Sequence, residues 1–180
     1  MQNDFPVPNI LQASNNLLET IAKEAAEIAV KHFKDSFEKQ GFTDSSFIPW
    51  PNRNDGAGHQ LMQLNNNLYN SIAATSITKD GVEITAGEGL PYAAIHNNGG
   101  TITVTVTPLM KKFFWAKFIE TDKEMWKFLY LSKKEQLTIK IPQRQYIGES
   151  QALDKSVNTI IEKAFLQNLG KRLQTLNKTQ

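Results

Sequence analysis

The chain has 180 residues, of which 40% are hydrophobic and 21% charged, so it can bury a core and is not a wholly disordered protein. Its net charge of +2 excludes a strong electrostatic field that would drive it onto nucleic acid. The absence of cysteine excludes disulfide scaffolds, thiolate metal sites and cysteine nucleophiles.

The N-terminal segment 1–9 is polar and contains two prolines, which predicts a flexible arm and not a secretory signal. No apolar run approaches the roughly 20 residues that a membrane-spanning helix needs. We therefore expect no membrane partner, and we expect residues 10–180 to form a single domain.

The first long element is a predicted helix over residues 10–39, with Gly41 as its C-terminal stop. Its apolar stripe consists of Leu17, Ile21, Ala25, Ile28, Ala29, Phe33 and Phe37. Residues 41–60 are rich in proline and glycine, which predicts a loop with a mobile tip near residues 52–58. The side chains expected to anchor this loop are Phe42, Phe47, Ile48 and Trp50.

A short helix or turn over residues 61–72 leads into the clearest hairpin signal in the chain. Asp80-Gly81 suits a two-residue type I′ turn, and this register places Ile77 opposite Ile84. Residues 91–98 are predicted to form a helical turn, closed by one of the residues Asn98, Gly99 and Gly100.

The second half of the chain begins with strict alternation over residues 101–107, which predicts a half-buried antiparallel strand. Pro108 suits the first turn of a helical segment over 109–131, interrupted near Thr121-Asp122. A second alternating strand follows, ending at Pro142, and Ser150 is the candidate N-cap of a closing helix over 151–175.

These elements predict an α+β fold: a small antiparallel sheet of about four strands, covered by the long N-terminal and C-terminal helices, with an extra helical excursion at 108–131.

Catalytic and metal signatures are weak. The histidines His32, His59 and His96 are not at ligand spacing, so we expect no metal site. No nucleophile elbow, phosphate loop or dinucleotide-binding motif is present, so we expect no catalytic residues and no cofactor. A hydrolase built around His96 is kept as an alternative, although a structural histidine is preferred.

The segment 111–134 mixes lysines with aromatic residues, as single-strand nucleic-acid sites do. Four nearby acidic side chains offset much of that charge: Glu120, Asp122, Glu124 and Glu135. We favour an apolar excursion that packs on the body or on a neighbouring subunit, with a third core helix or a nucleic-acid-binding module as the alternatives. Specific nucleic-acid binding is not expected.

Three stretches together resemble one family. The stretches are "PYAAIHNNGGTI", "IPQRQYIGES", and "LMQLNNNLYNSI" followed by "DGVEITAG". In this order between two long helices they resemble the phage virion morphogenesis proteins, the tail-completion or neck proteins of tailed bacteriophages and prophages. The resemblance covers roughly residues 10–107 and 136–175. The chain departs from the pattern at Asn66-Asn67, where members have a small residue and glycine, and in its longer aromatic link, a helical insertion at about 108–135.

The resemblance implies a structural protein and not an enzyme. It implies a role in tail completion or head-tail joining, a ring of identical subunits, and other phage head-tail connector or tail proteins as partners. Such a protein would act in the cytoplasm of the bacterial host during assembly, and would be part of the virion if the phage is functional.

Two groups of candidate residues follow. The structural motif consists of Tyr92, His96, Gly99, Gly100, Pro142, Arg144, Tyr146 and Gly148. The candidate subunit or partner contacts are Arg53, Phe113, Phe114, Trp115 and Trp126.

Overall fold

The computed structural model of the protein describes residues 10–52 and 60–178, and within them the expected α+β class is confirmed. The helices are α1 (Ile10–Lys39), α2 (Asn67–Asn70), α3 (Ala93–Asn98), α4 (Pro108–Thr121), α5 (Glu124–Leu131) and α6 (Gln151–Lys178). The strands are β1 (Gly41–Thr43), β2 (Phe47–Pro49), β3 (Ala73–Thr78), β4 (Gly81–Thr85), β5 (Gly100–Thr105) and β6 (Gln136–Ile141).

The strands form three separate antiparallel pairs, β1–β2, β3–β4 and β5–β6, where the sequence suggested one sheet of about four strands. The first two pairs are local hairpins, whereas β5 and β6 are joined through α4 and α5. Because no pair joins another, the long helices do not cover one continuous sheet. α1 instead packs against α6 and against the hairpins β1–β2 and β3–β4.

Helix α1 ends at Lys39, as predicted, but the left-handed residue that follows it is Gln40 and not Gly41. Gln40 has the left-handed φ of 57°, and its side-chain Oε1 accepts a 2.7 Å hydrogen bond from the backbone N–H of Leu61. The Gln40 carbonyl also accepts from Trp50 N–H at 2.8 Å. Tertiary partners therefore hold a non-glycine residue in the conformation that the sequence assigned to glycine.

Gly41 has a different function, in the β1–β2 hairpin that occupies residues 41–49 of the predicted loop. A Cβ on Gly41 would lie 2.5 Å from the Ile48 carbonyl oxygen and 2.5 Å from the Phe47 ring. Phe42 and Trp50 are buried as expected, but Phe47 and Ile48 are 45% and 57% exposed. The N-terminal segment 1–9, which was predicted to be flexible, lies outside the described residues, as do residues 53–59 of the loop.

The β3–β4 hairpin has a different register from the predicted one. Thr78 pairs with Gly81 and Ile77 with Val82, so the two turn residues are Lys79 and Asp80. Neither turn residue has a positive φ, so the turn is not type I′. The Thr78 hydroxyl accepts from Asp80 N–H at 3.3 Å and lies 3.1 Å from the Gly81 carbonyl, which stabilises the turn by side-chain bonding.

Several local predictions are confirmed. Asn66, where the chain departs from the family pattern, has a φ of 55° and precedes α2, since asparagine tolerates the left-handed conformation. α4 begins at Pro108, and Asp122, with a φ of 52°, separates α4 from α5. β5 is more exposed than expected for a half-buried strand, since Ile102 keeps 37% of its surface.

The core is centred on Phe37 of α1, which is completely buried. Its ring lies 5.4 Å from Trp50, 5.9 Å from Tyr69 and 5.4 Å from Tyr146, in edge-on or tilted arrangements. These partners come from the segment after β2, from α2 and from the loop before α6. One aromatic cluster therefore joins three distant parts of the chain.

His32 is part of the apolar side of α1. Its ring packs edge-on against Phe33 and Phe42. Within the described part of the chain, His32 Nε2 is buried without a hydrogen-bond partner. Burial lowers the pKa of His32, opposed by a hydrogen bond to the Thr43 backbone and by the charge of Asp35.

We predict that Gly41→Ala destabilises the protein by about 1–3 kcal/mol, because the added Cβ collides with backbone that cannot move freely. Gly81→Ala is the matched control, because a Cβ added at Gly81 would have no neighbouring atom within 4 Å and the φ of Gly81 is not positive. We expect Gly81→Ala to change stability by less than about 1 kcal/mol, in the stabilising direction. Urea unfolding of both variants measures these changes in the free energy of unfolding. A clear destabilisation by Gly81→Ala would contradict this turn and favour the type I′ turn.

We predict that part of the stability disappears on acidification. The folded-state pKa of His32 is below its ordinary value of 6.5, so the unfolded chain takes up the proton first. The contribution of neutral His32 is therefore complete above pH 6.5 and is lost as the pH falls through the folded-state pKa. Thermal unfolding should show a larger loss of Tm between about pH 7.5 and about pH 5 in the wild type than in His32→Leu. Equal losses in both proteins would contradict this.

Candidate functional site

The loop between β6 and α6, residues 142–150, is joined to the rest of the chain by side chains that bond backbone groups. We call this loop and the α3–β5 turn beside it the clasp. Arg144 is 8% exposed, and its Nε and Nη2 atoms donate to the Pro51 carbonyl at 3.2 and 3.0 Å. Its backbone N–H donates to the His96 carbonyl at 2.8 Å. Arg144 thus connects the loop after β2 to helix α3.

Asn97 completes the clasp, and the sequence analysis did not single it out. Its Oδ1 accepts hydrogen bonds from the backbone N–H groups of Tyr146 at 3.0 Å and Ile147 at 3.1 Å. One carboxamide oxygen thereby satisfies two consecutive amides that no strand partner reaches. Nothing in the composition distinguishes Asn97 from its neighbour Asn98, so only its position on α3 identifies it.

Tyr146 and Trp50 bring aromatic packing and polar bonding together. Tyr146 is 1% exposed and its hydroxyl donates to the Ala93 carbonyl at 3.1 Å. Burial raises the pKa of Tyr146 to about 12, with a further contribution from Tyr92. Trp50 Nε1 donates to the Gln145 carbonyl at 2.7 Å. Both rings lie against Phe37, so the clasp is continuous with the core.

The other motif residues surround these bonds. Gly99 closes α3 with a φ of 69°, and a Cβ there would lie 2.8 Å from the Gln143 backbone nitrogen, next to Pro142. Gly100 begins β5 opposite Ile141. Tyr92 precedes α3 and packs edge-on against His96 at 6.0 Å. Gly148 has a φ of 147° in the loop between Tyr146 and Ser150.

Ser150 caps the closing helix, as predicted, because its hydroxyl accepts from Leu153 N–H at 3.2 Å. The same hydroxyl donates to the Thr43 carbonyl at 2.8 Å. Asp44, which the sequence analysis missed, accepts from Gln151 N–H at 2.9 Å through Oδ1 and from Ala152 N–H through its carbonyl. The start of α6 is therefore fixed to the β1–β2 turn.

A cavity of about 300 Å³ lies beside His96. It is lined by Leu61, Met62, Leu64, Asn65, Leu68, Tyr92, His96 and Arg144. This described lining contains neither a carboxylate that could orient the histidine nor a serine that it could activate. Among the described residues, no group of three or more histidine or acidic side chains is placed to hold a metal ion.

Helices α4 and α5 form a second feature, which we call the arm. They pack on each other, and within the described residues neither makes an extensive contact with α1 or α6. Phe114 is 6% exposed and stacks on Trp126 at 6.0 Å, and Trp115 lies 5.0 Å from Tyr130. The arm therefore has a small aromatic interior of its own and is not a third helix of the main core.

The candidate contacts in this segment separate into two kinds. Phe114 is inside the arm and holds its helices together, whereas Phe113 and Trp115 are 50% and 41% exposed. The most exposed apolar side chains of the arm were not predicted as contacts: Leu109, Ile119, Met125, Phe128 and Leu131. Their outward position became visible only once the packing of α4 on α5 was known. Arg53 lies outside the described residues.

Three lysines of the arm have partners within it. Lys117 pairs with Glu120 at 2.7 Å, Lys127 pairs with Glu124 at 3.4 Å, and Lys111 Nζ donates to the Ser132 carbonyl at 3.0 Å. The aromatic rings that would stack on bases are largely engaged with one another. This arrangement favours a protein contact surface over a strand of nucleic acid.

Comparison with known proteins gives one match. The sequence model of the phage virion morphogenesis family matches residues 8–166, a range that contains the clasp and the arm. No curated protein and no solved structure matches the chain. Within the described residues, no helix is both long and apolar enough to cross a membrane.

We predict that Asn97→Ala destabilises the protein by about 1–3 kcal/mol, because two partly buried amides lose their acceptor together. Asn98→Ala is the matched control, since Asn98 is exposed and its Oδ1 only accepts from the Asn97 side chain at 3.0 Å. We expect the control to change stability by less than about 0.5 kcal/mol. Urea unfolding compares them, and equal effects would show that Asn97 does not hold the clasp.

Proposed function

Since the chain belongs to the phage virion morphogenesis family, we propose that it is a structural protein that acts in tail completion or head-tail joining, as a ring of identical subunits. It would bind other head-tail connector or tail proteins. It would act in the host cytoplasm during assembly and remain in the virion when the phage is functional.

The observation that carries this proposal is the arm. Leu109, Ile119 and Phe128 are 76%, 69% and 77% exposed on helices that, among the described elements, make no extensive contact with α1 or α6. Exposed apolar surface of this kind marks a contact with another macromolecule. A ring requires a head-to-tail contact between two different surfaces of the same chain, and a projecting arm supplies one of them.

The apolar side chains of α4 lie on all sides of that helix: Leu109, Met110, Phe113, Phe114, Trp115, Phe118 and Ile119. A helix that is apolar all round is normally buried on all sides. α5 covers only one side of α4, so the isolated chain leaves a surface that assembly would cover.

The clasp supports a structural role for the motif residues. Arg144, Tyr146 and Asn97 bond backbone groups, and these bonds hold the base of the β5–β6 pair against the core. A fixed base keeps the arm in one orientation, which a closed ring requires. We infer that the protein is not an enzyme, because the cavity beside His96 has no group in its described lining that would complete a catalytic pair.

Deletion of the gene from an inducible prophage tests the proposal. We expect lysates with separate heads and tails by electron microscopy, a large loss of plaque titre, and recovery of both when the wild-type gene is supplied in trans. Joined, infectious particles in the deletion strain would overturn the proposal. The nucleic-acid alternative predicts a shift of labelled DNA at about 50 mM salt, where phosphate contacts are strong.

A further inference from the structure

A long apolar groove lies between α1, the β3–β4 hairpin and α6, with a volume of about 810 Å³. Its walls include Leu18, Ile21, Ala25, Val82, Val157 and Phe165. Phe165 keeps 47% of its surface exposed although it faces this concave region. The groove is open in the isolated chain.

The arm carries an exposed surface of similar chemistry. Met125, Phe128 and Leu131 recur every three residues on α5 and form one line along its outer side, 58%, 77% and 63% exposed. We call these three residues the α5 stripe.

We propose that the α5 stripe of one copy fills the groove of a second copy. This inference rests on the ring in the proposed function and names the two surfaces that meet. Apolar burial would supply most of the binding energy, because both surfaces are largely aliphatic or aromatic.

The arm does not fill the groove of its own chain. α4 and α5 contact each other extensively, and among the described elements neither has an extensive contact with α1 or α6. The β5–β6 pair also places about 20 Å of extended chain between the clasp and the arm, at roughly 3.3 Å per residue. A second copy supplies an arm for the groove, which the described contacts do not show within one chain.

The charges are complementary. Residues 108–135 contain seven lysines and four carboxylates, which leaves thirteen basic and fourteen acidic residues in the rest of the chain. Lys123, Lys127 and Glu124, the ion-pair partner of Lys127, flank the α5 stripe, which leaves one net positive charge there. Asp154, Asp80 and its ion-pair partner Lys79 line the groove, which leaves one net negative charge among its described residues. The arm is therefore positive and the groove slightly negative, which orients one copy toward the other.

The proposed contact joins two different surfaces, the α5 stripe of one copy and the groove of another, so it is not symmetric. Pairing stripe with groove leaves one unused stripe and one unused groove on every dimer, so the contact repeats head to tail. This property gives a test in which a contact between two stripes, or between two grooves, would produce a different result.

The experiment uses two interface variants of the full chain, Phe128→Asp in the α5 stripe and Phe165→Asp in the groove. Leu64→Asp in the segment before α2 and Leu166→Asp on α6 are the matched controls. Both control residues are exposed and apolar, at 78% and 69%, and neither belongs to the arm or the groove. Circular dichroism first establishes that all four variants keep the wild-type fold.

Light scattering after size exclusion then measures mass. We expect the wild type and both controls to associate beyond a dimer, and each interface variant alone to be monomeric. An equimolar mixture of Phe128→Asp and Phe165→Asp should give a dimer and nothing larger, because one intact stripe and one intact groove remain.

Three results would overturn the inference: association of either interface variant alone, a mixture that stays monomeric, or a monomeric wild type at high concentration. The first two do not bear on the proposed function, whose virion role the gene deletion tests separately, whereas a monomeric wild type would also contradict the ring. Loss of joined particles together with unchanged association of the interface variants would retain the virion role and place the subunit contact elsewhere.

Discussion

The satisfaction of buried backbone groups by side chains is the constraint on which this structure depends. Each sheet is only two strands wide, so the segments between the strands have few neighbouring strands to bond. Arg144, Asn97 and Ser150 supply the missing donors and acceptors, and Trp50 and Tyr146 do so from within the aromatic core. The clasp is therefore a set of side chain to backbone bonds, and this is why its residue types are restricted.

This constraint links the core to the arm. Phe37 packs on Trp50 and Tyr146, whose polar atoms bond the clasp and α3. The clasp fixes the ends of β5 and β6, and these strands carry the arm away from the body. Rigidity at the base and apolar surface at the far end are the two properties that a repeated subunit contact needs.

Local signals in the sequence predicted the elements well because they depend on nearby residues. The bounds of α1, the start of α4 at Pro108, the interruption at Asp122 and the cap at Ser150 all follow from helical periodicity, proline geometry and short-range hydrogen bonding. The β3–β4 register was wrong because Asp80-Gly81 is only a preference. The Thr78 hydroxyl and the irregularity between Ala74 and Ser76 select another turn.

The sequence by itself determined the α+β class, the order of the elements and the two motifs that form the clasp, since these follow from local pattern and residue chemistry. Only the tertiary structure decided that the strands form three separate pairs, that Asn97 and not Asn98 bonds the clasp, and that Phe114 is interior while Phe128 is exposed. The physical reason is that hydrogen-bond partners and buried faces are set by which segments meet in space. Neighbouring residues of the same type have identical local signals, so their different roles appear only when the distant segment is in place.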